Sequence, residues 1–217
     1  MSADPFAPVG GEATPKRGAA SWVTVMPVPA DAPKPPASHY RLGKPVATWC
    51  YRGAGGEVLG YVSRFETTDG KVFRPLTYAR PAASGDAKWR WESWVLPRPL
   101  YGLQGLAQRP DAPVLVTEGE KAADAAGALL PAIVAVTSPN GSKSAGKADW
   151  SPLRGRHVTI WPDADAAGLE YAQEVAKAAI AAGALSVSMC RRRLDARSDG
   201  TPPVPLRKAG PNPGQKS

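Results

Sequence analysis

Hydrophobic and polar positions alternate in two different rhythms along this chain, and the change of rhythm divides it. From His39 to about Trp94 the apolar runs are short and β-like. Val46–Arg52 precedes Gly53-Ala54-Gly55-Gly56, Val58–Phe65 precedes Asp69-Gly70, and Val72–Tyr78 follows. Turn residues between runs of this length predict a three-strand antiparallel meander. Trp89, Trp91 and Tyr78 alternate with Lys88, Arg90 and Arg80, which predicts a further strand with one aromatic face. From about Asp111 the rhythm becomes strand then helix. Val114–Thr117, Ile133–Thr137, Val158–Trp161 and Leu185–Met189 read as four short apolar strands. Glu120–Leu130 reads as a helix stopped by Pro131. Leu169, Ala172, Val175, Ala176, Ala179 and Ile180 recur at helical spacing, ending at Gly183 in a C-cap position. Alternating βαβ units predict an α/β fold: a four-stranded, mostly parallel sheet flanked by helices, preceded by the small antiparallel β subdomain.

The ends lack either rhythm. Residues 1–38 are rich in Pro, Ala and Gly and read as a disordered arm, and 191–217 as a basic disordered tail. The domain reading is therefore 1–38 arm, 39–110 β-rich subdomain and connector, 111–190 α/β domain, and 191–217 tail. Only Cys50 and Cys190 occur among 217 residues, which argues against a zinc site or disulfide framework and suits a reducing cytoplasm. No basic stretch followed by an apolar run opens the chain, and the uncharged run 125–142 is broken by Pro131, Pro139 and Gly141. Neither a signal peptide nor a membrane span is expected.

Charge sharpens the division. Residues 1–38 carry three basic and three acidic side chains, 39–110 eleven and five, 111–190 six and nine, and 191–217 seven and two. An acidic centre between basic flanks suits a cation site acting on a polyanion, although solubility alone can also produce such a pattern.

The acids of that centre fall at strand ends. The first parallel strand runs into Thr117-Glu118-Gly119-Glu120, and the third into Trp161-Pro162-Asp163-Ala164-Asp165. In an open parallel sheet the carboxyl ends of the strands line the ligand crevice. If these two strands are neighbours, Glu118, Asp163 and Asp165 share that crevice and repel one another unless a cation sits among them; oxygen-only ligands select Mg²⁺ or Mn²⁺. Gly119 and Gly168 are expected to let the chain turn into each helix. Glu120 and Asp124 read instead as helix N-terminal carboxylates favourable to the dipole.

Two other motifs compete. Gly141-Ser142-Lys143-Ser144-Ala145-Gly146-Lys147 matches seven positions of a P-loop, but Ala148 stands where a Mg²⁺-binding hydroxyl is needed and Pro152 cuts the helix that should follow. Lys143 and Lys147 then read as phosphate contacts from a loop, or as solvated side chains. An Asp-x-Asp pair also suits glycosyltransferases and haloacid-type phosphatases, neither of which accounts for Glu118-Gly119 on a separate strand. His39 and His157 stand alone. Lys88-Trp89-Arg90-Trp91 either stacks unpaired bases or supplies the core face of a small sheet.

Val116-Thr117-Glu118-Gly119-Glu120-Lys121, Ser138-Pro139-Asn140-Gly141-Ser142 and Asp163-Ala164-Asp165-Ala166-Ala167-Gly168 together resemble the signature of Toprim domains. The likeness is to those of phage- and plasmid-type replicative primases, and it covers roughly residues 96–190. The resemblance implies that Glu118 is a candidate acid/base and that Asp163 and Asp165 hold Mg²⁺ or Mn²⁺. Lys121, Asn140, Gly141, Lys143 and Lys147 are the candidate phosphate-binding residues. Nucleoside triphosphates and single-stranded DNA are the expected substrates, and a separate helicase a possible partner. This chain has Ala122 where many relatives carry an acid, and it lacks zinc-ribbon cysteines and a helicase domain. A catalytically inactive or truncated single-strand-binding accessory protein is the alternative.

Overall fold

The computed structural model describes residues 21–190; the sequence readings for 1–20 and for the basic tail from 191 lie outside the described residues, as do the side chains of Ser142 and Lys143. The order is β1 (Trp22–Thr24), β2 (Ala47–Arg52), β3 (Val58–Thr67), β4 (Gly70–Pro81), β5 (Lys88–Arg90), α1 (Leu103–Gln108), β6 (Val114–Thr117), α2 (Glu120–Leu129), β7 (Val134–Val136), β8 (His157–Trp161), α3 (Ala166–Ala182) and β9 (Ser186–Met189). Two short 3₁₀ turns, Ser142–Lys147 and Ser151–Leu153, fill the link from β7 to β8.

β2, β3 and β4 form the expected meander, and β5 pairs with β4 through Tyr78↔Trp89. One boundary moves. The arm read as patternless to Ser38 contributes β1, whose Trp22, Val23 and Thr24 pair with Pro81, Arg80 and Ala79. Three residues are too few to show an alternation, so the strand is specified by its partner. The Arg90 guanidinium stacks 3.8 Å from the Trp22 ring centre and Lys88 sits 5.2 Å from it.

The second sheet is fully parallel, in the order β7-β6-β8-β9. Its strands are short because each is a run of four or so apolar residues between a loop and a helix. α3 packs Tyr171, Ala172, Val175 and Ala179 onto the face formed by Val114, Val116, Val158 and Ile160. Leu169 and Ile180, expected in that stripe, are exposed, and Gly168 and Tyr171 take the buried positions. The helix is rotated so that Tyr171 can donate its hydroxyl to the Thr117 carbonyl oxygen at 3.1 Å. α2 contacts β6 and β7 and leaves the β8–β9 half of its face open. There polar partners replace a helix: His157 meets Ser186 Oγ at 2.8 Å and Thr159 meets Ser188 at 3.1 Å.

Because β6 passes its chain to β7 and β8 passes its chain to β9, the connections diverge between β6 and β8. That divergence opens a crevice at the carboxyl ends of those two strands. Among the described residues no helix is long and apolar enough to cross a membrane.

Candidate active site

Glu118 leaves the end of β6, and Asp163 and Asp165 follow β8, so the divergence brings both acid motifs to one edge. The backbone N–H of Asp163 donates to Glu118 Oε1 at 2.7 Å. Asp165 is the N-cap of α3, its Oδ1 accepting from the Gly168 N–H at 2.8 Å. The expected mutual repulsion is thus met in part by backbone donors. Among the described residues no group of three His, Cys, Asp or Glu side chains is gathered as a metal cluster. The donor chemistry nevertheless fits a hard divalent cation: Asp163 and Asp165 are exposed, and among the described residues only Oδ1 of Asp165, of their carboxylate oxygens, accepts a hydrogen bond. Glu118 is held above the ordinary glutamate range. Burial is the largest cause, the Asp163 N–H pulls the other way, and the charges of Asp163 and Asp165 add to the rise.

The two glycines play unequal parts. Gly119 has extended backbone (φ −159°) and open space where a Cβ would stand, so the turn into α2 does not require it. Gly168 is required by proximity. A Cβ there would collide with the Asp163 carbonyl oxygen and Glu118 Oε1, and would lie 2.9 Å from the Asp163 nitrogen.

Asn140 and Gly141 follow β7 with φ of 71° and 69°, both left-handed. Asn140 holds this conformation without a glycine's freedom, and its Nδ2 donates to Ser93 Oγ at 3.2 Å. The next residues form a 3₁₀ turn that ends in extended Ala148, so no α-helix follows Gly141–Lys147 as a P-loop requires.

Over the acidic edge stands the antiparallel sheet, and between them lies a cleft of about 920 Å³. Glu118, Asp163, Lys121, Asn140 and Gly141 line one side; Arg64, Lys71, Phe73, Arg74 and Trp91 line the other. Register puts Arg64 opposite Phe73 and Glu66 opposite Lys71 on one face of the sheet; Arg74, opposite Ser63, starts from the other face yet also lines the cleft. Arg64 donates to Glu66 Oε1 at 2.6 Å, and its buried Nε has no partner among the described residues. Sequence reasoning named none of these three cations. For Arg64 and Lys71 the signal was the alternation within β3 and β4, which assigns faces only once the strand pairing is known.

The aromatic-basic strand divides. Trp91 lines the cleft, packed against His39 and Phe65 at 5.0 and 5.7 Å between ring centres. Trp89 packs on Tyr61 and Tyr78 and donates to the Pro33 carbonyl oxygen at 2.6 Å. Lys88 and Arg90 turn to Trp22, with Arg90 also paired to Glu92. Lys147 is exposed and is not part of the cleft lining. Lys143 belongs to the loop, its side chain outside the described residues.

Glu120 and Asp124 do more than face a helix dipole. Glu120 is buried (5% exposed) and accepts from the Tyr51 hydroxyl at 2.8 Å. Asp124 accepts from Trp49 Nε1 at 2.9 Å and from the Tyr101 hydroxyl at 2.7 Å. These bonds tie the antiparallel sheet to α2.

No family model matches the chain, and no curated relative matches it. Solved structures do. The E. coli primase catalytic core is similar at 20% identity over 61% of this chain and 39% of its own, with a TM-score of 0.40. The second likeness comes from a bacteriophage T7 assembly in which the lagging-strand DNA polymerase interacts with primase domains bound to an RNA/DNA hybrid and dTTP. A chain of that assembly is similar at 15% identity over 60% of this chain and 75% of its own, with a TM-score of 0.36. The chain spans well under half the length of the E. coli core it is similar to.

Proposed function

We propose that this chain is a primase-like domain that transfers nucleotidyl or phosphoryl groups on nucleic acid, using Mg²⁺ or Mn²⁺. Its substrates would be nucleoside triphosphates and single-stranded DNA. The observation that carries the reading is the cleft, in which carboxylates at two parallel strand ends face a wall of Arg64, Lys71 and Arg74. A polyanion enters such a cleft by exchanging its counterions for the wall's cations. The reacting phosphate then lies over the acidic edge, where it must be neutralised.

Asp163 and Asp165 would hold the divalent cation, with Glu118 beside them. When bound, the ion supplies charge neutralisation at the transferring phosphorus and aligns the triphosphate with a 3′-hydroxyl. Glu118, whose proton is held more tightly than usual, is suited to take and return the proton of that hydroxyl. Lys121 and the left-handed Asn140-Gly141 turn are placed to contact phosphate from the same side. Trp91 offers an aromatic surface among the wall's cations on which an unpaired base can stack.

The test is primer synthesis on a single-stranded template with labelled nucleoside triphosphates and Mg²⁺ or Mn²⁺. Wild-type protein should extend product, and Glu118→Gln and Asp163→Asn should each reduce it by two or more orders of magnitude. Absence of product from the wild type, with or without an added helicase, would remove the catalytic reading. A second reading, single-strand binding without turnover, is favoured by one specific feature. Glu118 and Asp165 each direct an oxygen to a backbone N–H, and among the described residues no three carboxylates converge. Binding that persists in chelator at low salt, with no synthesis at any metal concentration, would select it.

A further inference from the structure

We propose that Glu120 and Asp124 are positioning residues. Through Tyr51, Trp49 and Tyr101 they fix how far the cationic sheet stands from the acidic strand ends, and so set the width of the cleft. The inference rests on the cleft being the functional site, but its geometry is testable apart from any activity.

The two carboxylates sit four residues apart on α2, hence on one face and one turn from each other. That helix starts two residues after Glu118, so any displacement of α2 is passed to the acidic edge. The donors come from across the fold. Tyr51 and Trp49 belong to β2, the edge strand of the antiparallel sheet, and Tyr101 to the connector before α1. Tyr51 is fully buried, with its ring 4.7 Å from Trp94 and 5.3 Å from Tyr101, so its hydroxyl has little freedom to follow a moving acceptor.

The choice of partners is informative. A buried carboxylate is costly and is ordinarily met by a cation. Here buried Glu120 is met by the neutral Tyr51 hydroxyl and exposed Asp124 by two neutral donors, and the two ion pairs among the described residues, Arg64–Glu66 and Arg90–Glu92, lie within the antiparallel unit. Apolar residues would stabilise the same contact without a desolvation penalty, but they would let the two surfaces slide. Two hydrogen bonds from rigid rings of β2, Tyr51 to Glu120 and Trp49 to Asp124, resist that sliding, while Tyr101, whose backbone pairs with Thr137 of the α/β unit, holds Asp124 in place to receive Trp49. Trp49 and Glu120 also line the cleft, so the clasp borders the space whose width it sets.

The experiment measures that width directly. Spin labels at Thr68→Cys, in the β3–β4 turn, and Gln173→Cys, on the exposed side of α3, report the distance between sheet and α/β unit by pulsed dipolar spectroscopy. Cys50→Ala and Cys190→Ser remove the native thiols. The parent should give one narrow distribution. Glu120→Ala and Asp124→Ala should broaden or lengthen it, Glu120→Gln should restore it because its amide oxygen still accepts from Tyr51, and Lys88→Ala should leave it unchanged. If circular dichroism shows that the alanine variants unfold, Trp49→Phe, which removes the β2 donor to Asp124 and keeps an aromatic ring, must still widen the distribution. Distributions in the folded variants that match the parent would overturn the proposal. Polynucleotide affinity measured on the same samples separates the two ideas. A clasp whose loss widens the cleft, in a parent protein that itself binds no polynucleotide, supports the clasp and sinks the nucleic-acid reading.

Discussion

At the scale of single residues, the acidic edge combines demands that sequence alone cannot separate. Asp165 caps α3 and is also a candidate metal ligand, and the two roles respond differently to substitution. Asp165→Asn keeps an oxygen for the Gly168 N–H, whereas Asp165→Ala removes the cap and should cost about 0.5–2 kcal/mol of stability. Both should weaken Mg²⁺ or Mn²⁺ binding in calorimetry. Equal metal affinity in Asp165→Asn and wild type would leave capping as its sole role. Glu120 makes a second residue-scale prediction. Burial is the main cause that raises its pKa, with the charge of Asp124 adding, while its own backbone N–H and the Tyr51 hydroxyl pull it back. A carboxyl raised on folding binds its proton more tightly in the folded state. Its stabilising contribution is therefore full below the unfolded value of about 4.3 and is lost as pH climbs through the higher folded value. Glu118 acts in the same direction. Urea denaturation across that range should show stability falling with rising pH in the wild type and falling less in Glu120→Gln. Parallel curves would show that Glu120 is not raised.

At the scale of elements, most of the architecture was legible, and the failures have physical causes. β6 was read to the residue because an apolar run bounded by proline and an acidic turn leaves little choice. The face of α3 was misjudged at Leu169 and Ile180. Periodicity identifies a stripe, but the neighbouring loop decides its rotation, and here Tyr171 must reach Thr117 and Ser138. β1 was missed because its pairing is its only signal. The acidic motifs were found because they end strands. The opposing wall was not, since Arg64 and Lys71 acquire a common face only through the register of β3 with β4, and Arg74, opposite Ser63, joins the lining from the other face. Gly168 was correctly singled out but for a different reason: it permits close approach rather than a turn. Gly168→Ala places a methyl group against Glu118 Oε1 and the Asp163 carbonyl oxygen, both parts of the site. Overpacking of this kind costs about 1–3 kcal/mol. The substitution should lower the melting temperature and also displace Glu118 from the Asp163 N–H, moving the Glu118 titration in a carboxyl ¹³C experiment. Gly119→Ala, with open space, should do neither. A titration unmoved by Gly168→Ala would mean that α3 yields instead of the acidic edge.

At the scale of the whole molecule, charge was partitioned by sequence into basic flanks and an acidic centre, and the fold turns that linear partition into a spatial one. The cations of residues 39–110 do not act as one patch. Arg64, Lys71 and Arg74 face the cleft, whereas Lys88 and Arg90 lie over the Trp22 ring outside it. Counterion release makes this division measurable, because each phosphate contact on single-stranded nucleic acid contributes about −0.7 to the slope of log affinity against log salt. The double variant Lys71→Ala, Arg74→Ala should therefore flatten the slope for a single-stranded oligonucleotide by roughly 1.4. Lys88→Ala with Arg90→Ala removes the same formal charge from the same β subdomain and should leave the slope close to the wild-type value. Trp91→Ala should instead weaken binding by roughly 1–3 kcal/mol at unchanged slope if a base stacks there. The comparison controls for net charge, since both double variants lower it by two. If affinity fell equally in both pairs, binding would follow overall charge and the cleft would lose its claim to the polynucleotide. If only the Lys88 and Arg90 pair flattened the slope, the nucleic acid would run along the β5 side of the sheet, away from Glu118 and Asp163. The acidic edge could then act on a mononucleotide at most, because no bound strand would reach it.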